Sequence, residues 1–258
     1  MFLEEITARR KLQLAREKAE IPLREVRRAV ETAPPAGGFA AALKRGCPAV
    51  IAEVKKASPS KGLICPDFHP AETARVYQDA GADAVSVLTE ETYFHGSREV
   101  LRQVRAAVGL PVLRKDFIFD PYQIYDARAL GADAVLLIAA LLPAKELRSL
   151  RELAESLGLD CLMEAHNREE LEAVLSAGGT LVGINNRDLT TFQVDLGTTQ
   201  RLAKLVPPGC VLVSESGFAR SEDVAQAKRA GARAVLVGET LMRSTDPAAA
   251  LRKLRGEE

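Results

Sequence analysis

The chain lacks an excess of charge of either sign: 35 Lys and Arg residues balance 35 Asp and Glu residues among 258, so the formal net charge is zero. No global field therefore draws it to nucleic acid or to an anionic membrane. Long hydrophobic runs are also absent, since the longest, Ala134 to Leu142 before Pro143, is well short of the ~20 residues of a transmembrane helix. This run indicates a buried strand that enters a loop, and we expect no nucleic-acid partner and no membrane partner.

Cysteine and histidine are scarce and scattered. No C-x-x-C pair and no signal-peptide pattern accompanies the four cysteines, which are Cys47, Cys65, Cys161 and Cys210. A reducing, cytoplasmic location is expected on that basis. No metal-ligand spacing connects the three histidines, which are His69, His95 and His166. We therefore assign no metal site.

A repeated phrase of the form Gly-Ala-Asp/Arg-Ala-Val is the clearest regularity of the chain. It occurs at 81–85, 131–135 and 231–235, with a weaker echo at Gly178-Gly179-Thr180-Leu181-Val182. Each copy follows an amphipathic segment, so its glycine suits the position just past a helix and the apolar run after it suits a strand. The phrase therefore predicts alternating helices and strands.

Eight strands can be placed on this pattern, at Ala49–Lys55, Ala84–Thr89, Val112–Lys115, Ala134–Ala139, Cys161–Glu164, Leu181–Asn185, Val211–Glu215 and Ala234–Gly238. An open doubly wound sheet would usually carry G-x-G-x-x-G after its first strand, whereas this chain has Lys55 to Gly62 there without that motif. The fold class predicted is α/β, a (β/α)8 TIM barrel with an N-terminal helical extension. Residues 1–258 are expected to form a single barrel domain.

Residues 1–45 precede the first strand and carry charges of both signs between Leu and Ile residues. The mixed signs favour an amphipathic helix with a solvated charged face over an RNA-binding or membrane-binding arm. The break at Pro34 to Gly38 comes before a short segment, Phe39 to Lys44. We expect this extension to pack on the barrel as part of the same domain.

Five predicted strands end in polar clusters: Glu53-Val54-Lys55, Arg114-Lys115-Asp116, Glu164, Asn185-Asn186-Arg187 and Ser214-Glu215-Ser216. Side chains two apart on a strand share a face, so Lys115 and Phe117, for example, can both point into the barrel mouth. Ion pairs that satisfy strand ends are the alternative for any one cluster, but five together favour a site at the carboxyl ends of the strands. Closely spaced lysines and glutamates there suit general acid and base chemistry.

A phosphate site is a second candidate. Ser216-Gly217 follows the seventh strand and Gly238-Glu239 the eighth, where barrels often present backbone N–H groups to a phosphate. Simple turn geometry is the alternative for both glycines. The Glu239 carboxylate would repel phosphate, so only its backbone amide is a candidate ligand.

Five motifs occur in a fixed order: Ile51-Ala52-Glu53-Val54-Lys55-Lys56-Ala57-Ser58-Pro59-Ser60, then Leu88-Thr89-Glu90 with Tyr93-Phe94-His95-Gly96-Ser97, Arg114-Lys115-Asp116-Phe117, Gly183-Ile184-Asn185-Asn186-Arg187-Asp188-Leu189 and Ser214-Glu215-Ser216-Gly217. In these motifs, and over essentially its whole length, the chain resembles the indole-3-glycerol phosphate synthases of tryptophan biosynthesis. The first motif is the most specific, because few other barrels combine Glu, Lys and Ser-Pro-Ser at this spacing.

The resemblance implies a carboxy-lyase without a cofactor. It would close the indole ring of 1-(2-carboxyphenylamino)-1-deoxyribulose 5-phosphate and release CO2 and water. Lys115 would protonate the ribulose ketone oxygen and Glu164 would act in the later dehydration, while Lys55 would contact anionic groups or share the acid role. The resemblance also implies that the lysines and the sugar hydroxyls are oriented by Glu53, Asn185 and Glu215, and that polar parts of the substrate are held by Ser58 and Arg187. It implies an apolar wall for the aromatic ring, formed by Phe94, Phe117 and Leu136. The phosphate would be bound by the backbone N–H groups of Ser216, Gly217, Gly238 and Glu239.

Three alternatives stay open at this point. A phosphoribosylanthranilate isomerase resembles such a barrel but has a cysteine base at the end of strand one, where this chain has Glu53 and Lys55. A class I aldolase would use Lys115 or Lys55 as a Schiff base. The third is a non-catalytic barrel that binds a phosphorylated ligand. The sequence does not distinguish a monomer from a homodimer.

Overall fold

The computed structural model describes residues 2–46 and 48–257, so Cys47 lies outside the described residues. Eight parallel strands form a closed barrel. They are β1 (Ala49–Val54), β2 (Ala84–Leu88), β3 (Val112–Lys115), β4 (Ala134–Ile138), β5 (Asp160–Ala165), β6 (Leu181–Asn185), β7 (Val211–Glu215) and β8 (Ala234–Val237). Each strand pairs with the strands before and after it in the chain, and β8 closes the barrel on β1. The predicted (β/α)8 class is confirmed, with ten of the sixteen predicted strand ends unchanged and the other six shifted by one residue.

Helices cover the outside of the barrel and the N-terminal segment. They are α1 (Phe2–Glu20), α2 (Leu23–Thr32), α3 (Phe39–Ala42), α4 (Pro70–Asp79), α5 (Arg98–Ala107), α6 (Pro121–Ala129), α7 (Ala144–Ser156), α8 (Arg168–Ser176), α9 (Gly197–Leu202), α10 (Ser221–Arg229), α11 (Glu239–Met242) and α12 (Pro247–Arg255). A small hairpin that the sequence did not predict, Ala57–Ser58 with Gly62–Leu63, follows β1. None of the helices in the described residues is long and apolar enough to cross a membrane.

The repeated glycine phrase marks the joints between helices and strands. Gly81, Gly131, Gly178 and Gly231 have φ angles of 89°, 84°, 85° and 103°. At each joint the residue after the glycine donates its backbone N–H to the carbonyl of the residue five positions earlier, in the last turn of the helix. Ala82, for example, donates to the Tyr77 carbonyl at 2.9 Å. This is the Schellman arrangement, which requires the left-handed backbone that glycine adopts without a steric cost. The prediction from the repeat is confirmed.

Two apolar layers form the core. The barrel interior holds inward-facing residues such as Ile51, Leu113 and Leu162, and Phe39 and Leu43 at the end of the N-terminal segment pack on this layer. A larger layer lies between the barrel and its surrounding helices. Since residues at the start of each strand fill the interior, the open space of the barrel lies at the carboxyl ends.

The charged face of α1 departs from the predicted solvated surface. Arg10 is fully buried, and its guanidinium makes two 2.8 Å hydrogen bonds with the Asp116 carboxylate after β3. Glu17 is buried as well and lies 3.1 Å from Arg10 Nη1. The expectation is therefore wrong for these two residues. Arg10 has a buried partner of opposite charge in Asp116, which is distant in sequence, and Arg10 and Glu17 pair with each other two helical turns apart.

Candidate active site

A cavity of about 600 Å³ opens at the carboxyl ends of the barrel strands. Every second residue of each strand points into the barrel, and these inward-pointing residues continue up to the cavity. Ile51 is followed two residues later by Glu53, Leu113 by Lys115, Leu162 by Glu164 and Val213 by Glu215. The face that is apolar deep in the barrel therefore becomes charged at its mouth.

Every residue that the sequence assigned to the site lines this cavity. They are Glu53, Lys55, Ser58, Phe94, Lys115, Phe117, Leu136, Glu164, Asn185, Arg187, Glu215, Ser216, Gly217, Gly238 and Glu239. His166, whose parity matches that of Glu164, lies behind the cavity wall and not on its surface. The structure thus brings together residues that span most of the chain.

Lys115 lies at the centre of the polar side of the cavity. Its Nζ is 3.3 Å from Glu164 Oε2 and 3.2 Å from Glu215 Oε2. Burial lowers the pKa of Lys115, but the charges of Glu215 and Glu164 outweigh burial and hold the pKa above its ordinary value. Lys115 is therefore an ammonium group at neutral pH and can donate a proton.

The two carboxyl groups beside Lys115 have opposite shifts. Burial acts to raise the pKa of Glu164, yet the charge of Lys115 and the contact with His166 hold it well below its usual range. Burial raises the pKa of Glu215 to about 8, because the lowering effect of Lys115 is countered by the charge of Glu164. The Lys115 ammonium therefore lies between two carboxyl groups, of which Glu215 binds a proton more readily than Glu164, and this set of donors and acceptors is suited to proton transfer.

A second ion pair lies across the cavity. Lys55 Nζ is 2.6 Å from Glu53 Oε1 at the end of β1. Gly238 packs directly against this pair, so that a Cβ at position 238 would overlap the Glu53 carboxylate and approach Lys55 Nζ to 2.9 Å. The glycine therefore allows the turn after β8 to lie close to the pair.

The turns after β7 and β8 are tied together. Ser216 and Gly217 have successive left-handed backbones, with φ angles of 68° and 93°. The Thr240 hydroxyl donates to the Phe218 carbonyl at 2.6 Å and so joins the two turns. Consecutive residues of this kind can orient N–H groups toward an anion.

The Glu239 side chain faces the cavity, where three cations surround its carboxylate. Lys61 Nζ lies at 3.6 Å, Arg187 Nη2 at 3.8 Å and Arg243 Nε at 3.3 Å. Lys61 and Arg243 line the cavity but were missed by the sequence reasoning, since neither stands at a strand end. These cations offset the negative charge that Glu239 would otherwise present to an anionic ligand.

The apolar side of the cavity includes Phe94 and Phe117, whose ring centroids lie 6.2 Å apart. The loop that carries Phe94 is held by the buried Glu90 carboxylate, which accepts N–H bonds from Thr92, Tyr93 and Phe94. Apolar lining residues that the sequence reasoning missed include Phe2, Leu3, Leu88, Ile138, Leu189, Phe192 and Val194. Phe2 contacts Phe192 edge to face with centroids 4.8 Å apart, and no local sequence signal identifies such a contact.

Histidine and cysteine form no metal site within the described residues. His69 Nε2 lies 2.8 Å from Asp67 Oδ1 in an exposed pair, and His166 lies between two glutamates. Burial and the charge of Asp67 raise the pKa of the Cys65 thiol, so this side chain has no activated thiolate.

The comparisons with known proteins agree with this geometry. Residues 3–254 match the family model described as indole-3-glycerol phosphate synthase. A protein of that name from Dehalococcoides mccartyi is 48% identical over 258 residues, which cover 98% of this chain and 100% of the relative. One from Carboxydothermus hydrogenoformans is 48% identical over 262 residues, covering 98% and 99%. A mutant tryptophan synthase α-subunit from Pyrococcus furiosus shares the fold at 15% identity with a TM-score of 0.60, over 81% of this chain and 98% of that one.

Proposed function

The chain belongs to the indole-3-glycerol phosphate synthase family, and from this premise we propose how its cavity carries out the reaction. The enzyme is a carboxy-lyase of tryptophan biosynthesis. It converts 1-(2-carboxyphenylamino)-1-deoxyribulose 5-phosphate to indole-3-glycerol phosphate with loss of CO2 and water. The roles of individual residues below are our proposal.

Lys115 is the general acid for ring closure. As the aromatic carbon attacks the ribulose ketone, negative charge develops on the ketone oxygen, and the ammonium group transfers a proton to it. The position of Lys115 between Glu164 and Glu215 is the observation that carries this assignment. These carboxyl groups keep the lysine protonated before the reaction and fix its Nζ.

Glu164 acts after ring closure. Loss of CO2 restores electrons to the new ring, and the hydroxyl that came from the ketone must then leave as water while the ring loses a proton. Glu164 is ionised at neutral pH and so can accept that proton, while Lys55, in a shared acid role, gives the proton with which the hydroxyl leaves as water. Glu215 and Asn185, which line the same side, orient Lys115 and the sugar hydroxyls.

The substrate's anionic and aromatic ends bind on other walls. Backbone N–H groups of Ser216, Gly217, Gly238 and Glu239 bind the phosphate, with Lys55 close enough to add a positive charge. Glu53 holds Lys55 in place. The anthranilate ring lies against Phe94, Phe117 and Leu136, and Ser58 and Arg187 contact polar parts of the substrate.

We also propose that residues 1–258 act as one domain. Phe2 and Leu3 of α1 form part of the cavity wall, and Arg10 of the same helix pairs with Asp116 next to Lys115. An extension that supplies both a cavity wall and a buried ion pair is part of the barrel's structure and not a separate module.

The test compares Lys115→Met with Glu164→Gln in single turnovers read by rapid-quench mass spectrometry. Losing a positioned acid or base costs about 10²–10⁴ in rate, roughly 2.7–5.5 kcal/mol. Lys115→Met should accumulate unreacted substrate, whereas Glu164→Gln should accumulate a decarboxylated species that still carries the hydroxyl. Lys56→Met is the matched control, because Lys56 follows Lys55 in the chain but does not line the cavity. Near-native kcat in Lys115→Met, or the same species in both variants, would contradict the assignment.

Two of the alternatives have physical arguments against them here. A Schiff base needs a neutral amine, whereas Glu164 and Glu215 hold Lys115 in its ammonium form. An isomerase with a cysteine base would need a thiol at the end of β1, where Glu53 and Lys55 stand. A barrel that only binds a ligand would yield no indole product, so an indole absorbance assay on authentic substrate separates it from the enzyme.

A further inference from the structure

A partly buried cluster of polar side chains lies behind the cavity wall at the end of β5. His166, whose side chain is 11% exposed, has Nε2 3.3 Å from Glu164 Oε1 and Nδ1 2.8 Å from Glu170 Oε2. The backbone N–H of His166 also donates to Glu170 Oε2 at 2.8 Å. Asn167 Nδ2 donates to the other oxygen of Glu170 at 2.7 Å. Glu170, in the first turn of α8, is thus fixed and in turn fixes the imidazole.

Within the described residues, the charged side chains that contact His166 are carboxylates. Glu164 and Glu170 contact it, and Asp188 in the loop after β6 acts from a greater distance. Burial lowers the pKa of His166, but the charges of Glu164 and Glu170 and the hydrogen bond with Glu170 outweigh burial and raise the pKa to about 10. His166 is therefore an imidazolium at neutral pH.

Glu164 consequently has one cation on each carboxylate oxygen. Its Oε2 faces Lys115 and its Oε1 faces His166. These two cations have different fates in the reaction. When Lys115 gives its proton to the ketone oxygen it becomes a neutral amine, and Glu164 then loses the charge that stabilised its ionised form. Of the two cations only His166 then remains, together with the hydrogen bond from Asn185, to keep this buried carboxylate from binding a proton before the dehydration step.

We propose that His166 is a positioning residue that, held as an imidazolium by Glu170, orients Glu164 and keeps it ionised after Lys115 has transferred its proton. The inference rests on the proposed role of Glu164. His166 does not line the cavity and so acts through Glu164 and not on the substrate. The proton that Lys115 loses resides on the former ketone oxygen, and His166 keeps its own proton throughout.

The kinetic test uses His166→Gln, which retains a donor near the Nε2 position but removes the charge, and Glu170→Gln, which removes the carboxylate that holds the imidazolium. Both should lower kcat with KM changed less than about twofold, and the ratio of wild-type to variant kcat should increase as pH falls from 8 to 5. The increase follows because in the variants Glu164 has lost both neighbouring cations once Lys115 is neutral; each such loss raises the pKa of a carboxyl group by about 1–3 units, and burial raises it further. Any fall of kcat at low pH that comes from protonation of the substrate affects both enzymes equally and so cancels in this ratio.

His69→Gln is the matched control, because it makes the same change in an exposed histidine–carboxylate pair. Its kcat ratio should stay constant with pH. Circular dichroism melting of each variant separates a change in stability from the pH effect, since a purely structural role for His166 would lower Tm without a pH-dependent kcat ratio. A constant ratio in folded His166→Gln would overturn the proposal.

A second measurement does not depend on activity. The chain has three histidines, so imidazole resonances in a ¹³C,¹⁵N-histidine NMR titration can be assigned from single variants. The His166 signal should stay protonated well above pH 6.5 in the wild type and should titrate at least one unit lower in Glu170→Gln. Titration of wild-type His166 near 6.5 would overturn the inference even if the enzyme forms indole. Failure of the wild type to form indole would instead contradict the proposed function.

Discussion

The substitution Arg10→Met tests how the N-terminal helix is held to the barrel beside the active site. Arg10 Nε and Nη2 contact the two oxygens of Asp116 at 2.8 Å each, and both side chains are fully shielded from solvent. Asp116 follows Lys115 directly and accepts the N–H of Phe117 at 2.8 Å. Methionine preserves much of the side-chain packing but leaves the Asp116 carboxylate without its bidentate partner.

Removing one member of a buried ion pair typically costs about 3–5 kcal/mol. The lower part of that range applies here, because Asp116 still has Arg114 Nη2 at 3.0 Å and the Thr89 hydroxyl at 2.9 Å. We therefore expect the free energy of unfolding to fall by about 3 kcal/mol. At roughly 2–4 °C per kcal/mol for a chain of this size, Tm should fall by about 6–12 °C.

Urea denaturation of Arg10→Met, Asp116→Asn and the double variant would measure the coupling energy directly. Arg16→Met is the control, because Arg16 and Glu91 form an exposed pair with side chains 68% and 44% exposed, and such a pair should contribute less than about 1 kcal/mol. A cost below about 1 kcal/mol for Arg10→Met, or a coupling energy near zero, would refute the reasoning.

The same pair predicts a pH dependence of stability. Burial raises the pKa of Asp116, but Arg10 and Arg114 outweigh it and hold the pKa at about 2, below its ordinary value of 3.8. A depressed pKa means that the ionised group contributes stability above pH 3.8 and that this contribution is lost as pH falls through 2. The difference in stability between wild type and Arg10→Met should therefore shrink as the pH falls through this window.

Two further predictions concern the cavity. Gly238→Ala should weaken binding of both substrate and inorganic phosphate by about tenfold or more, because a Cβ there overlaps the Glu53 carboxylate and displaces Lys55. Gly109→Ala is the control. Gly109 is exposed, and a Cβ there would lie 3.7 Å from its nearest neighbour, Gln78 Oε1, so both affinities should stay unchanged. Equal phosphate affinity in folded Gly238→Ala would place the anion elsewhere. Borohydride added during turnover should leave the protein mass unchanged, whereas a reduced adduct on Lys115 would indicate Schiff-base chemistry.

Local sequence patterns predicted the fold because each barrel unit is built from short-range interactions. A glycine such as Gly131 ends one helix by donating its N–H to the Arg128 carbonyl in that helix, and the apolar run after it begins the next strand. The inward parity of each strand places Lys115 and Glu164 on the cavity side once the barrel closes. Both signals lie within a few residues of the positions they determine.

The resemblance to a known family supplied what the patterns did not, namely the substrate and the implied roles of individual residues. Physical reasoning from the residues reached the carboxyl ends of the strands and a mixture of acids and bases there. It left the isomerase, the aldolase and the non-catalytic barrel open, because strand-end charges alone do not specify a ligand.

Other features depended on contacts between distant parts of the chain. The charged pattern of α1 predicts a solvated face, yet Arg10 meets Asp116 across 106 residues and is buried. The opposite pKa shifts of Glu164 and Glu215 likewise arise only when three strands place them beside Lys115.

The sequence by itself therefore determined the alternation of helices and strands, the barrel and the set of residues at its mouth, because helix ends and strand parity are local properties. The tertiary structure alone decided which charges are buried, which carboxyl group binds a proton more readily, and that Phe2 belongs to the cavity wall. Burial and Coulomb interactions depend on distances in space, and the spacing of residues along a chain does not specify those distances.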